Sequence, residues 1–206
     1  FTDYRQPILA LEDGLIDLHA ALTEIFYGLM SIRKADIPIQ RLLIPHSIHW
    51  GIYSDKIKDI AEWLDGATVG LPNNVSNEAG IIVAADGRGD HIGSIKSLLP
   101  TTNDITDNPK QLTFKLLDAN QTARAITDVD ISLINNGMAV DAGFVPTEDA
   151  IFLEPVADCP NRITIDRGPS GGKENQTYQT IIKYYQTDEV KEIIDKVTKK
   201  SSIPVW

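Results

Sequence analysis

Residues 67–77, which read Ala67-Thr-Val-Gly-Leu-Pro-Asn-Asn-Val-Ser-Asn77, decide the fold class. The run from Ala67 to Leu71 predicts a strand, because it is short, mostly apolar and followed by a proline. A helix is predicted from Ser76 to Ala85, with Ser76 or Asn77 as its N-cap, since both side chains can accept hydrogen bonds from a first helical turn. A strand that leads into a helix is the repeating unit of α/β proteins.

The same alternation continues on both sides of this stretch. A helix is predicted before it, from Asp55 to Leu64, because apolar residues recur there at helical spacing. After it come a strand at Leu112–Leu116, a helix at Ala119–Ile126 and a strand at Val129–Ile134. Strands separated by helices favour parallel sheets with helices packed on their faces. The predicted fold class is therefore α/β.

The segments nearer the N-terminus predict further short elements. A helix is expected at Gln6–Gly14, entered by a proline and stopped by a glycine, and a brief strand at Leu15–Leu18. A longer helix is expected from His19 to Ile32, where Leu22, Ile25, Phe26 and Leu29 have helical spacing. The apolar runs Arg41–His46 and Trp50–Ser54 have the length of strands.

Two helices are predicted in the tail, at Gln176–Gln186 and from Thr187 to about Lys200. The second has an i, i+3, i+4, i+7 apolar stripe made of Val190, Ile193, Ile194 and Val197. We therefore expect a surface helix that docks through one face.

The composition excludes several classes of protein. The chain has 206 residues, 42% of them hydrophobic, and a formal net charge of −10, which disfavours a nucleic-acid partner because such affinity comes mainly from Lys and Arg. No run approaches the roughly 18 consecutive apolar residues of a membrane-spanning helix. Cys159 is the single cysteine, so neither an intrachain disulfide nor a cysteine-based zinc site is expected.

No catalytic or metal-binding constellation stands out, so the sequence does not predict an enzyme, a cofactor or a metal. There is no Gly-x-Ser-x-Gly motif, and nothing near Cys159 indicates an activated thiol. His46 and His49 are three residues apart at the end of a predicted strand, where positions i and i+3 point to opposite faces. A packed or hydrogen-bonded histidine is the better interpretation of both, although His46, at a strand end, could also face a ligand.

Two predicted strand ends carry amide side chains. One is the stretch Leu71–Asn77 and the other is Ile134-Asn135-Asn136. Ligands of open α/β sheets bind outside the carboxyl ends of strands, near helix N-termini that favour carboxylates and other anions. The alternative is that Ser76, Asn77 and Asn136 only cap helices.

Motifs spread over the whole chain resemble the methionine-binding lipoprotein family, also called the NLPA type. Each is weak alone, but their order and spacing are specific. They are Phe1-Thr-Asp-Tyr4 with Gln6-Pro7, Asp65-Gly-Ala-Thr-Val-Gly-Leu-Pro-Asn73 with Ser76-Asn77, Asp104-Ile-Thr-Asp-Asn-Pro109, Leu117-Asp-Ala-Asn-Gln121, Asp128-Val-Asp130 with Leu133-Ile-Asn135, Tyr185-Gln-Thr-Asp-Glu-Val190 and Ser202-Ile-Pro-Val-Trp206.

The resemblance implies a two-lobe fold of the periplasmic-binding-protein type (type 2). Lobe one would consist of residues 1–48 plus 161–206, and lobe two of residues 49–160, with the ligand in the cleft between them. The family's proteins are extracytoplasmic lipoproteins, held on the membrane by an acylated N-terminal cysteine; this lipid anchor is not present in the chain. They deliver methionine to the permease of an ABC importer, either in the periplasm or at the outer face of the cytoplasmic membrane.

Individual residues match positions of the family's ligand site. Tyr4 and Asn135 match residues that contact the bound amino acid, Ser76-Asn77 match a motif at a helix start, and His46 matches a histidine near the crossover between the lobes. These residues are expected to bind the ligand.

Departures from the family pattern leave the ligand open. The aromatic and histidine run that encloses the methionine side chain appears here as Leu18-His-Ala-Ala-Leu-Thr23, and Gly80 stands at the position of the carboxylate-binding arginine. Arg162 could supply that charge instead. The expected ligand is methionine or a related amino acid or short peptide. The alternative is a degenerate paralogue that keeps the fold and serves as a surface interaction or structural protein.

The start of the chain also departs from the family. Members of the family carry a strand, a helix and another strand before the segment equivalent to Phe1. We therefore expect a first lobe that is truncated at the N-terminus. Either the preceding residues are missing from this chain, or lobe one is rearranged or completed by a partner chain.

Overall fold

The computed structural model describes residues 6–23, 40–48, 50–74, 101–105, 107–154, 162–167, 175–204 and 206. The chain divides into two compact units. Unit one consists of Phe1–Ile48 and Val156–Trp206, and unit two of His49–Pro155. The sequence resemblance implies a return to the first lobe at residue 161. In the structure, unit one resumes slightly earlier, at Val156. The predicted helix Ser76–Ala85 lies outside the described residues.

The described part of the chain contains both helices and strands in each unit. The helices are α1 Gln6–Glu12, α2 Ala119–Thr122, α3 Asn136–Asp141, α4 Pro146–Asp149, α5 Gln176–Tyr185 and α6 Asp188–Val197. The strands are β1 Leu18–Thr23, β2 Gln40–Ile48, β3 Trp50–Tyr53, β4 Thr68–Pro72, β5 Thr113–Leu117, β6 Ile131–Asn135, β7 Phe152–Leu153, β8 Arg162–Arg167 and β9 Ser202–Pro204.

The sheet of unit two has the strand order β5-β4-β6-β3-β7. Strand β4 pairs in parallel with both β5 and β6, as the alternation of strands and helices predicts. Strand β3 is antiparallel to β6 and β7, because the chain enters this unit at Trp50 and runs against the three parallel strands. The sheet is therefore mixed, and its parallel core is β5-β4-β6.

The sheet of unit one has the order β1-β8-β2-β9, and every pairing described in it is antiparallel. The expectation of a parallel sheet is wrong for these strands. The reason is that β8 comes from the second, returning segment of the chain and lies between β1 and β2, running against both. Sequence periodicity is local and does not report such a long-range insertion.

The hydrophobic core of unit two covers both faces of its sheet. On one face, buried side chains from β3, β4 and β6 pack with residues of the flanking loops, namely Trp50, Ile52, Ile57, Trp63, Ala67, Val69, Leu71, Leu112, Ile131 and Leu133. On the other face a smaller cluster contains Tyr53, Ala123, Ile126, Ile134 and Ala139. Burial on both faces explains why β4 and β6 are mostly apolar and do not alternate regularly between polar and apolar residues.

The predicted helix at Asp55–Leu64 is wrong, because only a 3₁₀ turn forms there, at Ile60–Glu62. Side-chain oxygens accept hydrogen bonds from the backbone N–H groups of this segment. The Ser54 hydroxyl accepts from the N–H groups of Lys56 and Ile57, and the Asp59 carboxylate accepts from that of Ala61. Such local hydrogen bonds compete with helix formation.

The predicted elements at the N-terminus are partly confirmed. Helix α1 forms at Gln6–Glu12, and Gly14 follows with a φ of 71°. The strand expected at Leu15–Leu18 instead begins at Leu18 and runs to Thr23. The predicted helix from His19 is therefore wrong over its first residues, because pairing with β8 overrides the helical spacing of the apolar residues. Residues 24–32 of that prediction lie outside the described residues.

Helix α6 buries less of its apolar stripe than the sequence suggests. Ile194 is buried, whereas Ile193 and Val197 are 55% and 57% exposed. The helix is capped by Thr187, whose hydroxyl accepts from the N–H of Val190, and Asp188 and Glu189 lie in its first turn. The helix thus forms as predicted, but it docks through a narrower face.

Asp130 ties the start of β6 to β4. Its carboxylate accepts a hydrogen bond from the Lys56 ammonium at 2.6 Å and one from the Thr68 backbone N–H at 2.7 Å. The Lys56 hydrogen bond contributes most to holding the pKa of Asp130 below its ordinary value, and the Thr68 N–H lowers it further. Both bonds favour the ionised carboxylate.

We expect Asp130→Asn to lower the free energy of unfolding at pH 7 by about 1 kcal/mol, because one hydrogen bond to a charged group is weakened at a partly exposed site. The folded pKa is depressed, so this stability is present above the ordinary pKa of about 3.9 and is lost as the pH falls through the folded value. Urea unfolding of both proteins from pH 7 to pH 2 checks this.

The difference between the wild-type protein and Asp130→Asn should therefore be constant above about pH 5 and shrink in more acid solution. The matched control is Asp128→Asn, because Asp128 is an exposed carboxylate in the same turn. An equal loss of stability in the control would contradict the role assigned to Asp130.

Candidate functional site

The carboxyl ends of β5, β4 and β6 lie at one edge of the unit-two sheet, because these three strands are parallel neighbours. We call this the carboxyl edge. Asp118 follows β5, Asn73 follows β4, and Asn135 is the last residue of β6. Ligands of open α/β sheets bind at such an edge. The two strand ends that the sequence singles out are thus brought to the same side of the sheet.

Asn73 is engaged in holding two strand ends together. Its side-chain amide donates to the Asp118 carboxylate at 2.7 Å, and its backbone N–H donates to the Leu117 carbonyl at 2.7 Å. The side chains of Asn73 and Asp118 are exposed. The side-chain amide of Asn73 already pairs with a carboxylate. This strand end therefore provides fewer hydrogen-bonding groups for a ligand than the sequence suggests.

Asn135 occupies the N-cap position of α3 without capping it. Its backbone is extended, with φ −60° and ψ 138°, but its side chain makes no capping hydrogen bond, and the residue is only 8% exposed. Asn136, which could have been a helix cap, is instead the first residue of the helix and is also buried. Helix capping therefore does not account for the presence of an asparagine at either position.

The neighbouring packing fixes the end of β6. The Ser132 hydroxyl donates to the Thr122 carbonyl at 2.7 Å, which ties β6 to helix α2. Gly70 of β4 lies opposite Ser132, and a Cβ at this glycine would be 3.4 Å from the Ser132 hydroxyl oxygen. A methyl group at Gly70 would make only an ordinary van der Waals contact there, so it is the Ser132 hydrogen bond that helps to hold the end of β6 in place.

Two buried residues that the sequence does not single out meet at the start of β3, which pairs with the end of β6. Trp50 pairs with Asn135 in the antiparallel β3–β6 ladder, and the Glu154 backbone N–H donates to the Trp50 carbonyl at 3.0 Å. Trp50 and Glu154 are 3% and 5% exposed. A buried glutamate is uncommon, but its burial and the pairing of Trp50 with Asn135 become visible only in the folded sheet.

The remaining predicted site residues are located as follows. His46 and Arg162 belong to β2 and β8 of unit one, where His46 pairs with Ile163 and Ser47 with Arg162, so the two occupy adjacent register positions. For β2 and β8 the structure describes the backbone only. Tyr4, Ser76 and Asn77 lie outside the described residues. Among the predicted site residues, Asn135 is the one whose backbone and burial are both described.

The described residues contain no group of three or more His, Cys, Asp or Glu side chains that could hold a metal ion. None of the helices in this part of the chain is both long enough and apolar enough to cross a membrane. What the carboxyl edge offers is hydrogen bonding, through a buried amide flanked by an indole.

Comparison with known proteins gives a consistent result. The probable D-methionine-binding lipoprotein MetQ of Vibrio cholerae is 31% identical over 213 residues, which cover 100% of this chain and 76% of that protein. A nutrient-binding protein of Burkholderia cenocepacia, solved bound to methionine, has a TM-score of 0.92 and 30% identity, covering 100% of this chain and 86% of that one.

A periplasmic substrate-binding protein of an ABC transporter from Coxiella burnetii is similar too. It has a TM-score of 0.90 and 26% identity, and the match covers 100% of this chain and 86% of that one. The chain thus has the α/β fold of periplasmic substrate-binding proteins, as the sequence resemblance predicts. The model of the NlpA lipoprotein family matches residues 1–206, and the protein belongs to that family.

Proposed function

We propose that the protein is the extracytoplasmic solute-binding lipoprotein of an ABC importer and binds methionine or a related amino acid or short peptide. The observation that carries this proposal is the similarity, over the whole of this chain, to a Burkholderia protein that was solved with methionine bound. The names of the Vibrio and Coxiella relatives support the same function. They favour it over a degenerate paralogue with only a structural role.

The carboxyl edge of unit two suits a zwitterionic ligand. The side-chain amide of Asn135 can donate to a carboxylate and accept from an ammonium group. Burial strengthens such bonds, because a low local dielectric screens them less than water does. The partners that follow from this proposal are a membrane permease and a lipid anchor on the mature protein. The proposal involves neither a catalytic step nor a cofactor.

We propose Tyr4, His46, Ser76, Asn77, Asn135 and Arg162 as the ligand-binding residues. Arg162 would take the role of the arginine that Gly80 replaces, by binding the ligand carboxylate. A charge-assisted contact of this kind is worth about 1.5–3 kcal/mol. An unchanged affinity for methionine in Arg162→Ala would exclude this role.

Asn135→Ala is expected to weaken methionine binding at least about tenfold, because a buried amide that bonds the ligand is removed and its partner is left unsatisfied. Isothermal titration of the purified protein measures the affinity. Methionine should also raise the melting temperature of the wild-type protein, since a ligand that binds the folded state stabilises it by mass action.

Asn73→Ala is the matched control for this experiment. It removes the same side chain at the neighbouring strand end, where the amide pairs with Asp118, so the affinity for methionine should stay unchanged. Equal losses in both variants would show that the effect of Asn135→Ala is structural. A thermal-shift screen with D- and L-amino acids and dipeptides extends the test, and no response at millimolar concentration would contradict the proposed function.

A further inference from the structure

We propose that the indole N–H of Trp50 donates a hydrogen bond to the carboxylate of the bound ligand. This inference rests on the proposed function and adds a specificity-determining residue to the ligand site. It follows from an unsatisfied donor and its position in the sheet.

The unsatisfied donor is the starting observation. The Nε1 atom of Trp50 is buried and has no hydrogen-bond partner among the residues that the structure describes, and the residue is only 3% exposed. Buried polar groups in folded proteins nearly always have a partner, because an unsatisfied one costs free energy on folding. An indole nitrogen can only donate, so the missing partner must be an acceptor.

The position of Trp50 places this donor at the carboxyl edge. Trp50 is the first residue of β3 and pairs directly with Asn135, the last residue of β6. Directly opposed residues of an antiparallel pair have their side chains on the same face of the sheet. The indole and the Asn135 amide are therefore neighbours on one face, where the parallel strands end.

The indole is also held rigidly at this place. Its ring lies 5.8 Å from that of Phe152, centroid to centroid, and it belongs to the larger hydrophobic cluster of unit two. A donor fixed by packing loses little conformational freedom when a ligand binds, so its hydrogen bond contributes more to affinity.

The chemistry of an amino acid identifies the acceptor. Its ammonium group only donates, and the thioether sulfur of methionine is a weak acceptor. The carboxylate is the strong acceptor, and a hydrogen bond to an ionised group is shorter and stronger than a neutral one. At the same edge, the Asn135 amide can bond either end of the ligand. The Trp50 donor would thus favour ligands with a free carboxylate.

The test compares Trp50→Phe with Trp63→Phe. Trp63 is a second buried tryptophan of the same cluster, but it lies near the amino end of β4, where its carbonyl accepts from the Lys110 ammonium. Both substitutions remove the same ring volume and one indole N–H from the cluster. We expect both to lower the melting temperature, whereas only Trp50→Phe weakens L-methionine binding, by about tenfold, the effect of one hydrogen bond.

A spectroscopic measurement separates a direct bond from a packing effect. The chain has three tryptophans, so the ¹⁵N–¹H spectrum of the labelled wild-type protein shows three indole signals, which the two variants assign. On adding L-methionine, the Trp50 indole proton should move downfield as its hydrogen bond forms. The Trp63 signal should stay in place.

An unmoved Trp50 signal, or equal affinities of the two variants for L-methionine, would overturn the inference while leaving the proposed function intact. If the wild-type protein responds to no amino acid or dipeptide, the proposed function fails, and this inference fails with it. The two failures are therefore distinguished by the behaviour of the unsubstituted protein.

Discussion

Leu71→Ala is expected to lower the free energy of unfolding by about 3 kcal/mol, the largest loss of stability that we predict. Leu71 lies in the central part of the unit-two sheet and is 1% exposed. Truncating a fully buried leucine removes its transfer free energy and leaves a cavity that the surroundings fill only in part. Denaturant unfolding followed by circular dichroism measures the change.

Leu116→Ala is the matched control. Leu116 is the direct register partner of Leu71 on the neighbouring edge strand β5, yet it is 47% exposed. The same substitution should therefore cost less than about 1 kcal/mol, because little apolar area leaves water at this position. Similar losses at the two positions would contradict the burial described for β4.

Gly51→Ala is expected to cost about 2 kcal/mol, because a methyl group is added to a packed site. A Cβ at Gly51 would lie 2.8 Å from the Cε2 atom of Tyr53, which is too close for two carbon atoms. The Tyr53 ring cannot easily move aside, because it is 1% exposed and lies 5.2 Å from the Phe144 ring. Thermal and denaturant unfolding measure the loss.

Gly137→Ala makes the same change where space is free. Gly137 lies in helix α3, and no heavy atom would be within 4 Å of its added Cβ. Alanine is a better helix former than glycine, so this variant should gain roughly 0.5–1 kcal/mol. Opposite signs for the two glycines are the expected result, and a stabilising Gly51→Ala would refute the contact with Tyr53.

The sequence predicts the parallel core of unit two well, because the signal there is local. Strands β4 and β6 are short, almost fully buried and mostly apolar runs bounded by turns, and they pair where strand–helix alternation predicts. The helix predicted at Asp55–Leu64 fails for a reason that apolar spacing cannot show. Ser54 and Asp59 give their oxygens to nearby N–H groups, and the segment turns instead.

Long-range pairing accounts for the other errors. The His19 segment has helical spacing, yet it pairs as a strand with β8, which comes from more than a hundred residues later in the chain. Nothing local to either segment encodes that contact. The family resemblance predicts the family and the fold class correctly, because it draws on motifs from the whole chain at once.

The candidate site shows the same division. Asn135 is predicted by its place after a strand and by its match to the family; the structure buries it at the end of β6, and its role in binding stays a prediction. Trp50 is not predicted, because its relation to Asn135 depends on an antiparallel pair between distant segments. Its unsatisfied indole is visible only once the fold is known.

The hydrogen bond from the Glu154 N–H to the Trp50 carbonyl has a topological consequence. It joins the entry and the exit of unit two, so this unit is an inserted module whose two ends meet. Segments with adjacent ends are tolerated as insertions, because they leave the host's geometry undisturbed. Once unit two has folded, it links β2 to β8 as a short connection would. The loop-closure entropy that opposes pairing of these two strands then becomes small.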